Sequence, residues 1–231
     1  MRTLYFLSGG AAQGLVRELQ PAFEAAHGCR LEGTFGAVGA MKDKLLGGAP
    51  CDLLILTHAL IAELASQGHA EGASARPLGL VKTGVAVKQG AAAPDVGSPD
   101  ALRKVLEQAG AVYFPDPAKA TAGIHFMKVL TGLGVADGLA PRLRTFPNGA
   151  TAMAALAQAP EANAVGCTQV TEILITKGVQ LVGLLPPPYE LATTYTAAVA
   201  TRAAEPALAA ELIAALTAAE AAAKRKECGF E

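Results

Sequence analysis

The 231-residue chain has no excess of either charge: 19 Lys and Arg stand against 20 Asp and Glu, a formal net charge of −1. That balance gives no reason to expect nucleic acid or an anionic membrane as a partner. Charged residues are scarce altogether, at 17 % against 52 % hydrophobic, which excludes a disordered chain. Only four cysteines occur (Cys29, Cys51, Cys167, Cys228), and they form no CxxC pair and no Cys/His ligand spacing. They read as buried small hydrophobes, and no metal site is expected from them. No apolar run approaches the ~20 residues of a membrane span, so no membrane insertion is expected. Met1-Arg2-Thr3 passes directly into the first apolar run with no leader-like segment. The chain as written is therefore expected in the cytoplasm, or in the periplasm if a leader has been removed. No nucleophile elbow, Walker loop, zincin motif, EF-hand or dinucleotide fingerprint is present, and no cofactor is implied.

What the chain does have is small residues between strand and helix. Thr34-Phe35-Gly36-Ala37-Val38-Gly39-Ala40-Met41 joins a strand expected over 29–32 to a helix expected from 41 to 46. A Gly-x-x-Gly turn there lets the backbone approach a ligand closely, because neither glycine carries a Cβ. It also aims the free N–H groups of a helix start into the gap, which favours an anion. Ser8-Gly9-Gly10-Ala11, after a strand over 4–7, repeats the arrangement. Two such turns point to a cleft for something small and negative.

The first half alternates strand and helix, the pattern of a parallel sheet. A helix over 11–27 carries Leu15, Leu19 and Phe23 on one face and stops at Gly28; an apolar strand spans 52–56 and a helix 59–67. After a β-rich run over 78–87, Ser98-Pro99 opens a capped helix. Strands over 111–114, 143–146 and 164–168 then alternate with helices over 123–133 and 150–157. Apolar and β-like runs over 179–185 and 193–200 precede one Ala-rich amphipathic helix over 206–226. The inference is an α/β protein of two lobes, each a mainly parallel sheet flanked by helices. Residues 1–81 and 197–231 make a discontinuous first lobe and 82–196 the second, with crossings near 78–88 and 191–200. Such a body holds its ligand in the crevice between lobes, beyond the carboxyl ends of the strands.

The order of several motifs carries a family resemblance. Leu7-Ser8-Gly9-Gly10-Ala11-Ala12, Phe35-Gly36-Ala37-Val38-Gly39-Ala40 and Gly48-Ala49-Pro50-Cys51-Asp52-Leu53 are followed by Asp116-Pro117, Ala122-Gly123-Ile124-His125 and Ala164-Val165-Gly166. Together they resemble the molybdate-binding proteins of ABC importers, within the type II periplasmic-binding fold. The resemblance implies an oxyanion held by two serine hydroxyls, backbone N–H groups and a tyrosine. Here the serine positions fall at Gly10 (with Ser8 two residues earlier) and Val38, and the tyrosine position at Gln169. Each missing charge-assisted bond removes about 1.5–3 kcal/mol, which disfavours molybdate or tungstate.

The expected ligand-binding set is Ser8, Gly9, Gly10, Ala11, Gly36, Ala37, Val38, Gly39, Thr57, Ala122, Gly123, Asn148, Thr168 and Gln169. Its mixture of apolar, amide and hydroxyl groups suits an organic di- or tricarboxylate. Two functions compete. One is a solute-binding-type protein for a small anion, with an ABC importer as partner if the chain is exported. The other is a cofactor-independent isomerase, because the family resembles and includes aconitate isomerases, which interconvert cis and trans unsaturated tricarboxylates. His58 or His125 would then be the base that moves the allylic proton.

Overall fold

A computed structural model describes all 231 residues. In chain order the strands are β1 (Arg2–Gly9), β2 (Cys29–Gly36), β3 (Leu53–Thr57), β4 (Arg76–Lys88), β5 (Val112–Pro115), β6 (Leu143–Phe146), β7 (Val165–Gln169), β8 (Val179–Leu184) and β9 (Ala192–Val199). The helices are α1 (Gln13–His27), α2 (Val38–Leu46), α3 (His58–Ser66), α4 (Pro99–Gln108), α5 (Thr121–Gly132), α6 (Ala136–Leu139), α7 (Gly149–Ala157), α8 (Val170–Leu174), α9 (Pro206–Thr217) and α10 (Ala222–Glu227). The chain divides into two compact units, Met1–Val81 with Thr193–Glu231, and Lys82–Ala192. It re-enters the first unit at Thr193 rather than at 197, because β9 is already under way and pairs antiparallel with β3 from Tyr195 onward.

In the first unit β1 lies between β2 and β3 and is parallel to both, and β9 closes the far side of β3. Leu53, Leu54, Ile55 and Leu56 are all fully buried, as a strand covered on both faces requires. The helix α1 buries Leu15 and Phe23 and ends at Gly28, whose φ of +56° only glycine adopts without cost. Asp52 (1 % exposed) accepts backbone N–H bonds from Tyr5, Ala204 and Glu205 at 2.7, 2.6 and 2.9 Å. It thereby ties the returning chain to the amino end of β3. The final helix is broken, not continuous: α9 stops at Ala218, where ψ is 151°. Arg225 of α10 donates to the carbonyls of Leu216 and Ala218, satisfying that broken end.

In the second unit β4 is central, pairing antiparallel with β7 on one side and β8 on the other, while β5 joins β7 to β6 in parallel. Ser98 caps α4 by accepting from Ala101 N at 3.2 Å, with Pro99 opening the helix. The turn α8 directly after β7 has no signal in the sequence strong enough to set it apart from the strand. No single helix is long and apolar enough to cross a membrane.

Candidate functional site

Parallel strands deliver their following turns to one edge of a sheet, the carboxyl edge, and that is where each unit gathers its candidate residues. In the first unit the edge is backbone. Gly9 packs so tightly that a Cβ would lie 2.8 Å from the Tyr195 ring and 2.9 Å from Val38 Cγ1. Gly36 is crowded in the same way by the Met41 methyl, at 2.7 Å. Gly10 and Ala11 lie in a buried 3₁₀ turn over Gly10–Ala12, entered without any side-chain cap. The helix α2 likewise begins after Ala37 with no side-chain cap, so the N–H groups at Val38 and Gly39 have no side-chain acceptor.

The hydroxyls named on this edge are engaged by the fold. Ser8 is fully buried and donates to its neighbour's carbonyl, Gly9 O, at 2.9 Å. Thr57 caps α3 by accepting from Leu60 N at 3.4 Å. His58 stands exposed, its Nδ1 3.3 Å from Thr196 Oγ1. Lys42 pairs with Glu63 and is not directed to a ligand.

The second unit's edge is built from side chains. At the start of α7, Asn148 forms a capping box with Thr151, accepting from its N–H at 2.9 Å. The carboxylate of Glu172 reaches the same helix start. It accepts from Thr168 Oγ1 at 2.6 Å and from the backbone N–H groups of Gly149, Ala150 and Gln169. A Cβ on Gly149 would overlap both Glu172 Oε2 and Thr168 Oγ1, so glycine is what lets the carboxylate sit there. Burial pushes the Glu172 carboxyl up from its ordinary value, and the four donors restrain the rise. Asn148 and Thr168, both named from sequence, therefore have internal partners.

Gln169 does not. It is 2 % exposed, and neither its amide nitrogen nor its amide oxygen has a hydrogen-bond partner. Thr83 lies directly across the β4–β7 ladder from it, on the same face of the sheet. The hydroxyls of Thr83 (1 % exposed) and Thr171 (1 % exposed) are also unpartnered. Four orphaned polar atoms on Thr83, Gln169 and Thr171 are unusual, because leaving each unsatisfied costs about 1–3 kcal/mol.

Beside them, Thr83 brackets the segment 185–191 by bonding Leu185 N and Leu191 O through its backbone. His125 Nε2 donates to Tyr189 O in that segment at 2.8 Å. Ala122 and Gly123 are buried in the first turn of α5, and a Cβ on Gly123 would overlap the carbonyls of Pro115 and Asp116.

Sequence reading passed over Thr83, Thr171 and Glu172. The polar run Thr168-Gln169-x-Thr171-Glu172 after an apolar strand was the one signal, obscured because α8 is only five residues long. The cysteines offer no nucleophile: burial pushes Cys51 up to about 12 and raises Cys167 as well. No group of three His, Cys, Asp or Glu side chains is arranged to hold a metal. A groove of about 270 Å³ at the amino end of β7 is lined by Lys88 and Glu161, but Lys88 donates to Ala159 O and Glu161 accepts from Tyr113.

A family model described as "Bacterial extracellular solute-binding protein" matches residues 4–231. An aconitate isomerase from Pseudomonas sp. is 28 % identical over 237 residues, covering 99 % of this chain and 87 % of the relative. The periplasmic molybdate-binding protein of Azotobacter vinelandii superposes with a TM-score of 0.80 at 21 % identity, covering 99 % of this chain and 98 % of its own. A sulfate-binding protein of Mycobacterium tuberculosis superposes at 0.75 with 18 % identity, covering 100 % and 86 %. These likenesses show a two-lobed type II periplasmic-binding-protein fold.

Proposed function

The chain belongs to the bacterial extracellular solute-binding protein family, and from that premise we propose that it binds a small organic anion of the di- or tricarboxylate class. The observation that carries this reading is the unpartnered Gln169 amide with the Thr83 and Thr171 hydroxyls. A buried primary amide offers two donors and an acceptor in one plane, which suits a planar oxygen-bearing group better than a symmetrical tetraoxoanion. Val38 points the same way, because it puts methyl groups where an oxyanion-holding hydroxyl is expected. The uncapped start of α2 supplies backbone donors for a carboxylate. Gly9, Gly10, Ala11, Gly36, Ala37, Gly39, Ala122 and Gly123 serve as close-approach backbone in this reading. Ser8, Thr57, Asn148 and Thr168 shape the turns without donating directly. An ABC importer is the partner that the family implies.

Calorimetric titration of the purified protein with molybdate, tungstate, sulfate and a panel of di- and tricarboxylates tests the proposal. Saturable heat with a carboxylate and none with molybdate is the expected result. Tight molybdate binding with a silent carboxylate panel overturns it.

A second reading is favoured by the aconitate isomerase relative, which aligns over 99 % of this chain. An isomerase of an unsaturated tricarboxylate needs a base for an allylic proton. His125, held through Nε2 by the Tyr189 carbonyl, and the exposed His58 are the two imidazoles on the carboxyl edges. Proton spectra of the protein incubated with trans-aconitate read this directly: appearance of the cis isomer, lost in His125→Ala or His58→Ala, establishes the enzyme. Binding without interconversion leaves the solute-binding reading alone.

A further inference from the structure

Thr196 lies on β9 directly across the ladder from Leu56, two residues before His58 at the carboxyl end of β3. Its hydroxyl is buried, the residue being 1 % exposed, and its one hydrogen-bond partner is His58 Nδ1, at 3.3 Å. A hydroxyl has a proton to give as well as lone pairs to receive with, and no carbonyl or carboxylate accepts from this one. If Nδ1 carried a proton and donated to Thr196, the buried O–H would be left without an acceptor, at a cost of about 1–3 kcal/mol. If Nδ1 accepts, the Thr196 proton is satisfied and nothing is orphaned. Satisfying the buried hydroxyl therefore selects the neutral ring whose proton is on Nε2.

The ring itself is exposed, and its Nε2 makes no hydrogen bond within the chain. His58 opens α3, where the Thr57 hydroxyl accepts from Leu60 N alone. That helix start therefore offers backbone N–H groups in addition to the ring N–H, and donors of both kinds suit an anion. We infer that Thr196 is a positioning residue that fixes the neutral His58 ring as an Nε2–H donor, so that His58 binds an anionic oxygen of the ligand instead of taking up a proton. The inference rests on the reading of this carboxyl edge as ligand-facing, and it removes His58 from the two candidate bases of the isomerase reading.

Two measurements test it, and the first needs no ligand. Nitrogen-15 NMR of the histidine rings, with His58 assigned by its loss in His58→Gln, reads which nitrogen is protonated once the pH is high enough that the signals stop moving. The expected result is a proton on Nε2 and an unprotonated, hydrogen-bonded Nδ1. The Nδ1 resonance is expected to shift in Thr196→Val and to stay at its wild-type position in Thr196→Ser. A proton on Nδ1 overturns the inference, and so does an Nδ1 resonance that Thr196→Val leaves unmoved.

The second is calorimetry with succinate and trans-aconitate as probes. A glutamine side chain places an N–H close to where the Nε2–H of histidine lies but cannot take up a proton. His58→Ala is expected to weaken binding by about tenfold or more, and His58→Gln to stay within about threefold of wild type. Equal losses in the two variants overturn the inference. Interconversion of trans-aconitate that is present in wild type and abolished at saturating substrate in His58→Gln overturns it as well. A wild-type protein that binds neither probe, yet shows the Nε2–H ring and its dependence on Thr196, sinks the proposed ligand class and leaves the positioning of His58 in place.

Discussion

Each unit buries one acid that accepts several backbone N–H bonds, and the two acids sit at opposite ends of their sheets. Asp52 stands at the amino end of β3, binding Tyr5, Ala204 and Glu205. Glu172 stands just past the carboxyl end of β7, binding Gly149, Ala150 and Gln169 with Thr168. Around Asp52 the three donors are satisfied and belong to chain segments that must be held together. Beside Glu172, Gln169, Thr83 and Thr171 keep unpartnered polar atoms. The same chemical device therefore stands in two settings: at the amino end it fastens separate segments of the fold, and at the carboxyl end it lies beside a strand end whose other polar side chains the fold leaves unpartnered.

The largest effect expected from breaking this comparison is at Asp52. Asp52→Ala strands three buried or part-buried N–H groups at once and is expected to lower unfolding free energy by about 4 kcal/mol. Urea denaturation measures it, and the fraction still folded is expected to bind its carboxylate with unaltered affinity. A change in affinity matching the change in stability would show that Asp52 is no mere fastener. Gly149→Ala comes next. The added Cβ overlaps Glu172 and Thr168, and displacing a buried, hydrogen-bonded carboxylate is expected to cost about 3 kcal/mol.

How much of this could be read from residues alone follows from the same contrast. The turns around Gly9 and Gly36 were legible because glycine and alanine between strand and helix mark a place where the backbone itself comes close to something. The family that their order suggested is the one that the family model matches. The strand Leu53–Leu56 and the Ser98-Pro99 cap were legible because local chemistry fixes them. Glu172 was not, since its partners at 149, 150, 168 and 169 meet only once α7 and β7 are packed. Asn148 and Thr168 looked like ligand donors for the converse reason: nothing local reveals that Thr151 and Glu172 already engage them. The break at Ala218 was hidden in an alanine run whose periodicity continues through it, and only Arg225 reaching back makes the stop comfortable.

A smaller effect of opposite sign sharpens the contrast at the second acid. Gln169→Leu replaces an amide without partners by an apolar group of similar size. It is expected to stabilise the ligand-free protein by about 1 kcal/mol while weakening carboxylate binding at least tenfold. Ser8→Ala, on the other edge, removes a hydroxyl that is already hydrogen-bonded and is expected to cost stability without that gain. Thermal unfolding of the two variants side by side decides it: destabilisation by Gln169→Leu would mean that the amide serves the fold after all.

The smallest expected effect is a pH slope that only Glu172 can supply. Burial holds its folded-state pKa above the ordinary 4.5, so between 4.5 and that raised value the folded chain keeps a proton that the unfolded chain has released. The native state binds more protons there, and its stability falls as pH rises. The contribution is complete below 4.5 and is lost as pH climbs through the folded pKa. Glu24, Glu63 and Glu161 are lowered by their hydrogen-bond partners and slope the other way, but they are common to both proteins and cancel in a difference. The stability of wild type minus that of Glu172→Gln is therefore expected to decline from pH 4.5 upward in urea titrations. A difference that instead grows with pH would mean that the four donors outweigh burial and pull the Glu172 pKa below its unfolded value.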